Sequence, residues 1–275
     1  MKKVLFALFC AATILSCSND DELQLTKVNG KPSRIVKSTD EKANIYFSYQ
    51  GNRLSKIKAI GGSILSYSYE NNELVSVSTS PEDKRVADGN GQTSFTKENS
   101  NKICIESWGE PSFHLFRKEI ELDENNTPIK ITDIGIFDHI GPKGEISKIE
   151  EGQYYGLFTY DQTTKNLTRL VVYDKTTSKE IATYEYEYDD NTGAISKIDL
   201  PLWFYAHKAY GNRDYRTSYS RLFFNYSNNL IKETVTLTDN TPQATFHYIY
   251  QYNKDSAPVS IQKDESDMDK LSITY

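Results

Sequence analysis

Side chains able to do chemistry are few and scattered. The histidines His114, His139, His207 and His247 stand far apart, with no His-x-His or His-x-x-x-His spacing and no cysteine partner for a zinc site. They point to neither a metal nor a cofactor. The chain also lacks a Gly-x-Ser-x-Gly elbow, a phosphate-cradling glycine loop and an aspartate-rich calcium loop. Among the 38 Asp and Glu, the pair best placed for glycoside hydrolysis is Glu106 and Glu110, which flank Trp108-Gly109. The alternative is two strand-end charges beside a packed tryptophan. Cys104, in Lys102-Ile103-Cys104-Ile105-Glu106, has no histidine within a few residues, and alternation places it opposite the isoleucines. It reads as a small packed residue and not as a nucleophile.

The richest concentration of recognition chemistry runs from Pro201 to Arg221. Trp203, Phe204, Tyr205, Tyr210, Tyr215 and Tyr219 are interleaved there with Lys208, Arg213, Arg216 and Arg221, against Asp214 alone. Flat aromatic faces stack on sugar rings, and guanidinium groups bind carboxylate or sulfate in two-pronged geometry. Trp203, Tyr205, Tyr210, Arg213, Tyr215 and Arg216 are therefore the candidate binding residues, with an acidic glycan as the ligand that would suit them. The competing reading is a long connection whose aromatics plug one end of a sheet. A chain so acidic overall does not suit nucleic acid.

The elements that must position these residues begin after a targeting segment. Lys2 and Lys3 precede a 12-residue apolar run, Val4 to Leu15, which is too short to span a bilayer and reads as a signal peptide. Ile14-Leu15-Ser16-Cys17 resembles a bacterial lipobox, in which Cys17 becomes the lipid-modified first residue. Loss of Lys2 and Lys3 then takes the formal net charge from −6 to −8, and loss of Cys10 leaves Cys104 as the remaining thiol. Ser18-Asn19-Asp20-Asp21-Glu22 forms a polar, acidic tether. The implied organisation is a signal peptide (1–16), a tether (17–27) and one domain (28–275). Several acyl chains, at about 0.8 kcal/mol per buried methylene, would hold such a protein on the outer membrane.

Within that domain the chain repeats. Ser-Lys-Ile occurs at 55–57, 147–149 and 196–198, each time after an aliphatic residue and a nearby glycine. Aromatic alternation ending in polar turn residues recurs: Tyr46-Phe47-Ser48-Tyr49-Gln50-Gly51-Asn52, Tyr67-Ser68-Tyr69-Glu70-Asn71-Asn72, Tyr184-Glu185-Tyr186-Glu187-Tyr188-Asp189-Asp190 and Phe246 to Tyr252. Period-two aromatics mark half-buried strands, and Asn, Asp and Gly supply the positive φ of hairpin turns. The fold expected is all-β, an antiparallel meander of repeated hairpins forming a twisted or curled sheet, with essentially no helix. In the recurring aliphatic-x-x-aliphatic step, such as Leu54 to Ile57, the two residues fall on opposite faces of a regular strand, or on one face if a bulge intervenes.

The pattern aromatic-x-Tyr-polar turn-Gly/Asn-x-aliphatic-x-x-aliphatic resembles the YD repeats of RHS-type proteins. It is most similar to a Bacteroides-type lipoprotein family of unknown function carrying degenerate repeats of this kind; the Tyr-Asp pair itself survives at Tyr160-Asp161 and Tyr188-Asp189. The resemblance implies an antiparallel β-meander displayed from the cell envelope, and it carries no catalytic residue or ligand. An acidic stretch behind the lipidated cysteine is associated in such lipoproteins with display outside the cell, and Asp255-Ser256-Ala257 fits their O-glycosylation pattern at Ser256. The reading is thus a non-enzymatic envelope lipoprotein that binds a glycan or an envelope protein. A structural or assembly lipoprotein and a glycan-active enzyme remain the alternatives.

Overall fold

The computed structural model describes residues 30–37, 40–58, 63–81, 91–109, 114–140, 145–211, 221–224, 226–238, 244–264 and 270–275. The strands are β1 (Arg34–Lys37), β2 (Asp40–Gln50), β3 (Arg53–Lys58), β4 (Ser63–Glu70), β5 (Glu73–Pro81), β6 (Gly91–Asn99), β7 (Lys102–Gly109), β8 (Leu115–Leu122), β9 (Pro128–Ile140), β10 (Glu145–Glu151), β11 (Tyr154–Tyr160), β12 (Leu167–Asp174), β13 (Glu180–Thr192), β14 (Asn228–Leu237), β15 (Ala244–Tyr252), β16 (Pro258–Lys263) and β17 (Leu271–Thr274). Each pairs antiparallel with its chain neighbour, except that β10 and β11 follow one another along the same edge of β9. They act as one long stave. Because β1 pairs with both β2 and β17, the meander closes into a 16-strand antiparallel barrel.

The repeat has a physical basis in a bulge just after the turn. In β3 the register jumps so that Lys56 faces Ser48 while Leu54 faces Tyr49, leaving Ser55 as the extra residue. Leu54 and Ile57, three residues apart, therefore both point into the core. The same jump brings Leu74 with Val77, Pro128 with Ile131, Leu167 with Leu170, and Pro258 with Ile261 to the inner face. A bulge frees a backbone carbonyl from the ladder, and tyrosine hydroxyls reach several of these: Tyr69 to Leu54 O (3.0 Å), Tyr188 to Leu167 O (2.8 Å) and Tyr275 to Pro258 O (3.0 Å). The repeated Tyr thus fills the core and satisfies the kink beside it.

Alternation sorts the wall by polarity. Phe47, Tyr67, Phe158, Tyr184, Tyr186 and Tyr248 face the bore and are buried. Outward, Lys56, Ser68, Glu70, Thr96, Thr159, Glu185, Glu187, His247, Gln251, Ser272 and Thr274 are exposed. Trp108, Ile129, Ile149, Leu157 and Ile249 are exposed apolar exceptions. This is the reverse of a lipid-spanning barrel, whose outer wall is an apolar band around a polar interior.

A bore of this width needs filling, and residues 193–211 and 221–224 supply buried side chains to it. Gly193 N–H bonds Ser227 O (2.8 Å), pinching the two ends of the insertion together between β13 and β14. The third Ser-Lys-Ile lies here, in turns and not in a strand, with Ile195 and Ile198 buried. Helix α1 (Leu202–Gly211) follows, its first turn marked by the bond from Phe204 N–H to Pro201 O (2.9 Å). Phe204 packs on Tyr67 of β4 and Phe95 of β6, while Tyr210 lies against Gly156 of β11, where an added Cβ would stand 3.0 Å from its ring. The all-β expectation holds, with α1 and the 3-10 turn at Leu222–Phe224 as its helical exceptions among the described residues. Leu202-Trp203-Phe204-Tyr205-Ala206 is apolar in succession and buried on several sides, so it shows none of the one-sided stripe that marks a surface helix.

Candidate functional site

Short turns at Gly51-Asn52, Asn71-Asn72, 99–101, 123–127, 161–166 and 253–257 gather at one end of the barrel, and α1 starts beneath them. Positive φ at Asn71, Asn72, Asn126 and Lys165 lets these turns close tightly around the rim.

Between the turns and the start of α1 lies a pocket of ≈ 570 Å³. Its apolar lining includes Tyr69, Phe95, Trp203, Tyr226 and Leu122; Asn72, Asn125, Asn126 and Thr127 supply amides and a hydroxyl. Trp203 is half-buried, held by the Phe95 ring at 4.8 Å and the Phe204 ring at 6.3 Å. Tyr226 is fixed edge-on to Tyr205 at 5.0 Å. Arg53, Glu73, Lys97, Lys165 and Asp199 also line the pocket. None of these five makes an ion pair with another described residue, whereas Lys102 with Glu119, Arg117 with Glu106, Lys130 with Glu121 and Lys232 with Glu187 are paired on the outer wall. Arg53 lies 5.4 Å from the Tyr69 ring, whose hydroxyl burial pushes up to about 12.

The residues singled out from the sequence separate. Trp203 lines the pocket. Tyr205 and Tyr210 are buried in the plug: the Tyr205 hydroxyl donates to Ile198 O (3.3 Å) and that of Tyr210 to Asp133 Oδ2 (2.9 Å). Arg213, Tyr215, Arg216 and Cys17 lie outside the described residues, as does Glu110. Glu106 accepts from Arg117 on the outer wall, away from the pocket. Cys104 is buried on the outward side of β7. Ser256 is exposed in the β15–β16 turn at φ 57°. Sequence reading missed Tyr69, Arg53, Lys97 and Tyr226, which come from four separate segments and are gathered only by closure of the ring. The Asn-rich turns were the available signal.

No family model matches the chain, and no curated protein matches it. Among solved structures it is similar to a porin-like protein from Bacteroides vulgatus at 13% identity, over 84% of this chain and 85% of that one, with a TM-score of 0.37. A porin-like protein from Bacteroides uniformis shares 11% identity over 88% of this chain and 97% of that one, with a TM-score of 0.34.

Proposed function

We propose that the protein is a non-enzymatic envelope lipoprotein that binds a saccharide in the pocket at the turn end of its plugged barrel. The observation that carries this reading is a ligand-sized pocket with a half-buried tryptophan, a rim of asparagine amides and five charged side chains without ion-pair partners among the described residues. Aromatic faces stack on the C–H faces of sugars, and unpaired amides and charges accept or donate to hydroxyls. A purely structural barrel would gain by pairing those charges, as its outer wall does.

The attachment of the chain supports an envelope role. The described chain enters at the turn end, where Pro32 O accepts from the Tyr49 hydroxyl and the Lys31 ammonium donates to Asn52 O. A lipid on Cys17 would keep that end within about 45 Å of the bilayer, the greatest reach of 13 residues. The polar outer wall leaves attachment to the lipid. Display outside the cell, and an O-linked sugar on Ser256 in its exposed turn, belong to the same reading. Protease shaving of intact cells tests display, with digestion expected while a periplasmic control survives. A mass addition on the Ser256 peptide, absent after Ser256→Ala, tests the modification.

The binding test is a glycan array probed with wild type and Trp203→Ala. Saturable binding to a saccharide class, reduced at least tenfold in the variant, is expected. Absence of binding to any saccharide, with both proteins folded, overturns the reading in favour of a structural or assembly lipoprotein.

A further inference from the structure

The charges that line the turn-end pocket differ in what water does for them. Glu73, Lys97 and Asp199 are exposed, whereas Arg53 and Lys165 are half-buried. Exposed charges at a rim are answered by solvent. A partly dehydrated cation is costly until a counter-charge or acceptor meets it. The two side chains that water serves least are thus both cationic. The pocket as a whole carries three cations against two carboxylates, in a chain whose formal net charge is −6.

Both of these cations rise from fixed backbone. Arg53 opens β3 opposite Gln50, directly behind the Gly51-Asn52 turn. Its guanidinium lies over the Tyr69 ring, and that ring is fixed by its hydroxyl bond to Leu54 O. A guanidinium resting over a ring keeps its in-plane N–H donors for another partner. Arg117 and Arg221 spend theirs on Glu106 and Glu233, while Arg53 has no carboxylate within ion-pair distance among the described residues. Lys165 stands in the β11–β12 turn at φ 60°, its N–H bonded to Asp161 O at 3.0 Å. The carboxylate of that turn is already engaged. Asp161 Oδ1 accepts from the N–H groups of Thr163 (3.0 Å) and Thr164 (2.7 Å) and from the Thr164 hydroxyl (2.9 Å).

We infer that the ligand of this pocket is an acidic saccharide, whose carboxylate or sulfate oxygens are taken by the Arg53 guanidinium while a sugar ring lies on Trp203. Lys165 and Lys97 supply the further positive charge. The inference rests on the saccharide reading of the same pocket and names the class of sugar. Two oxygens of one oxyanion match the forked donors of an arginine, and the bonds they form are charge-assisted, which those to a neutral hydroxyl pair are only in part. A volume of ≈ 570 Å³ leaves room for more than one sugar ring, so the acid and the stacked ring can belong to different units.

The test is an array of neutral, uronic-acid-bearing and sulfated glycans, probed with the full chain in mild detergent at low and at high salt. The wild type should prefer an acidic glycan at least tenfold over its neutral counterpart, and less so at high salt. Arg53→Gln, with an unchanged melting temperature, should bring the acidic glycan down to the neutral level, whereas Trp203→Ala should weaken both classes alike. The uronic-acid and sulfated arms tell which oxyanion is read. A wild type that binds neutral glycans as tightly as acidic ones overturns the proposal and leaves saccharide binding standing. An acidic preference that survives in Arg53→Gln overturns it too. Absence of binding to every glycan overturns both the proposal and saccharide binding itself.

Discussion

Arg221 and Glu233 face each other as a fully buried pair, with Nε to Oε2 at 2.8 Å and an Nη nitrogen to Oε1 at 2.7 Å, both side chains at 0% exposure. Glu233 occupies the second aliphatic position of its repeat, three residues after Leu230 across the Ile231 bulge, where the other hairpins place Ile57, Val77, Ile131, Leu170 or Ile261. The plug is pinned to the wall at the position where the repeat pattern is broken. Tyr248 donates to the same carboxylate at 3.3 Å, and the Arg221 guanidinium lies 4.7 Å from the Phe224 ring.

Removing one partner strands the other charge in the core. Glu233→Leu alone should destabilise the fold by about 3–5 kcal/mol. The double variant Arg221→Met with Glu233→Leu should recover most of that loss, since apolar residues of similar size suit a dry site. Urea unfolding followed by tyrosine fluorescence measures both; a double variant as unstable as the single one would show that the pair does more than fill space.

The tyrosine that caps each bulge is separable from the tyrosine that fills the core. Tyr188→Phe keeps the ring and leaves Leu167 O without its donor, so a loss of about 1–2 kcal/mol is expected. Tyr69→Phe should cost a similar amount at Leu54 O. In contrast Tyr46→Phe, whose hydroxyl accepts from Asn44 on the outward side of β2, should change the midpoint little. Equal effects at all three sites would remove the bulge-capping account.

Glycine tolerance should follow space and not position in the repeat. At Gly152, where the paired β10–β11 stave bends over β9, a Cβ would stand 2.0 Å from Asp133 O. Gly152→Ala should therefore cost more than about 2 kcal/mol by forcing the stave apart. Gly51→Ala meets no atom, and its φ of +60° alone should cost about 1 kcal/mol. A melting-temperature comparison of the two variants checks the order.

Cys104 lies outward on β7 opposite Thr96 and Glu119, yet only 7% exposed. Burial and the nearby Glu106 push its thiol up to about 11. Iodoacetamide at pH 8 should modify it about 100-fold more slowly in the folded protein than in urea. Fast labelling without denaturant would show that the wall opens locally at β7.

How far the sequence announced this architecture depends on which level of contact is asked about. Period-two aromatics such as Tyr184, Tyr186 and Tyr188 fix strand and inward face from neighbouring residues alone, so the all-β meander was legible. The bulge at Ser55 was visible only as two alternatives, because the register jump is decided by the partner strand at Tyr49. Closure was not legible, since Arg34 meets Thr274 across nearly the whole chain. The same distance hid the pocket: Trp203 was singled out by its segment, while Arg53, Tyr69 and Lys97 join it only in the closed ring. Tyr205 and Tyr210 carry the same chemistry as Trp203, and what separates them is the direction each takes from a helix inside the bore.

The polarity of the wall sets the last expectation, for membrane attachment. With Glu185, Glu187, Lys56, Thr159 and Gln251 on the outside of its staves, the described wall exposes no continuous apolar band, so the barrel itself should not partition into lipid. On the proposed lipoprotein reading, attachment then rests on acyl chains at Cys17. In detergent phase separation of cell extracts, the wild-type chain should enter the detergent phase, and Cys17→Ala, which leaves the chain without acyl groups, should move to the aqueous phase while remaining folded. A folded Cys17→Ala protein that stays with detergent would mean that the outer wall contacts lipid after all, and the outward apolar residues Trp108, Leu157 and Ile249 would be the first place to look.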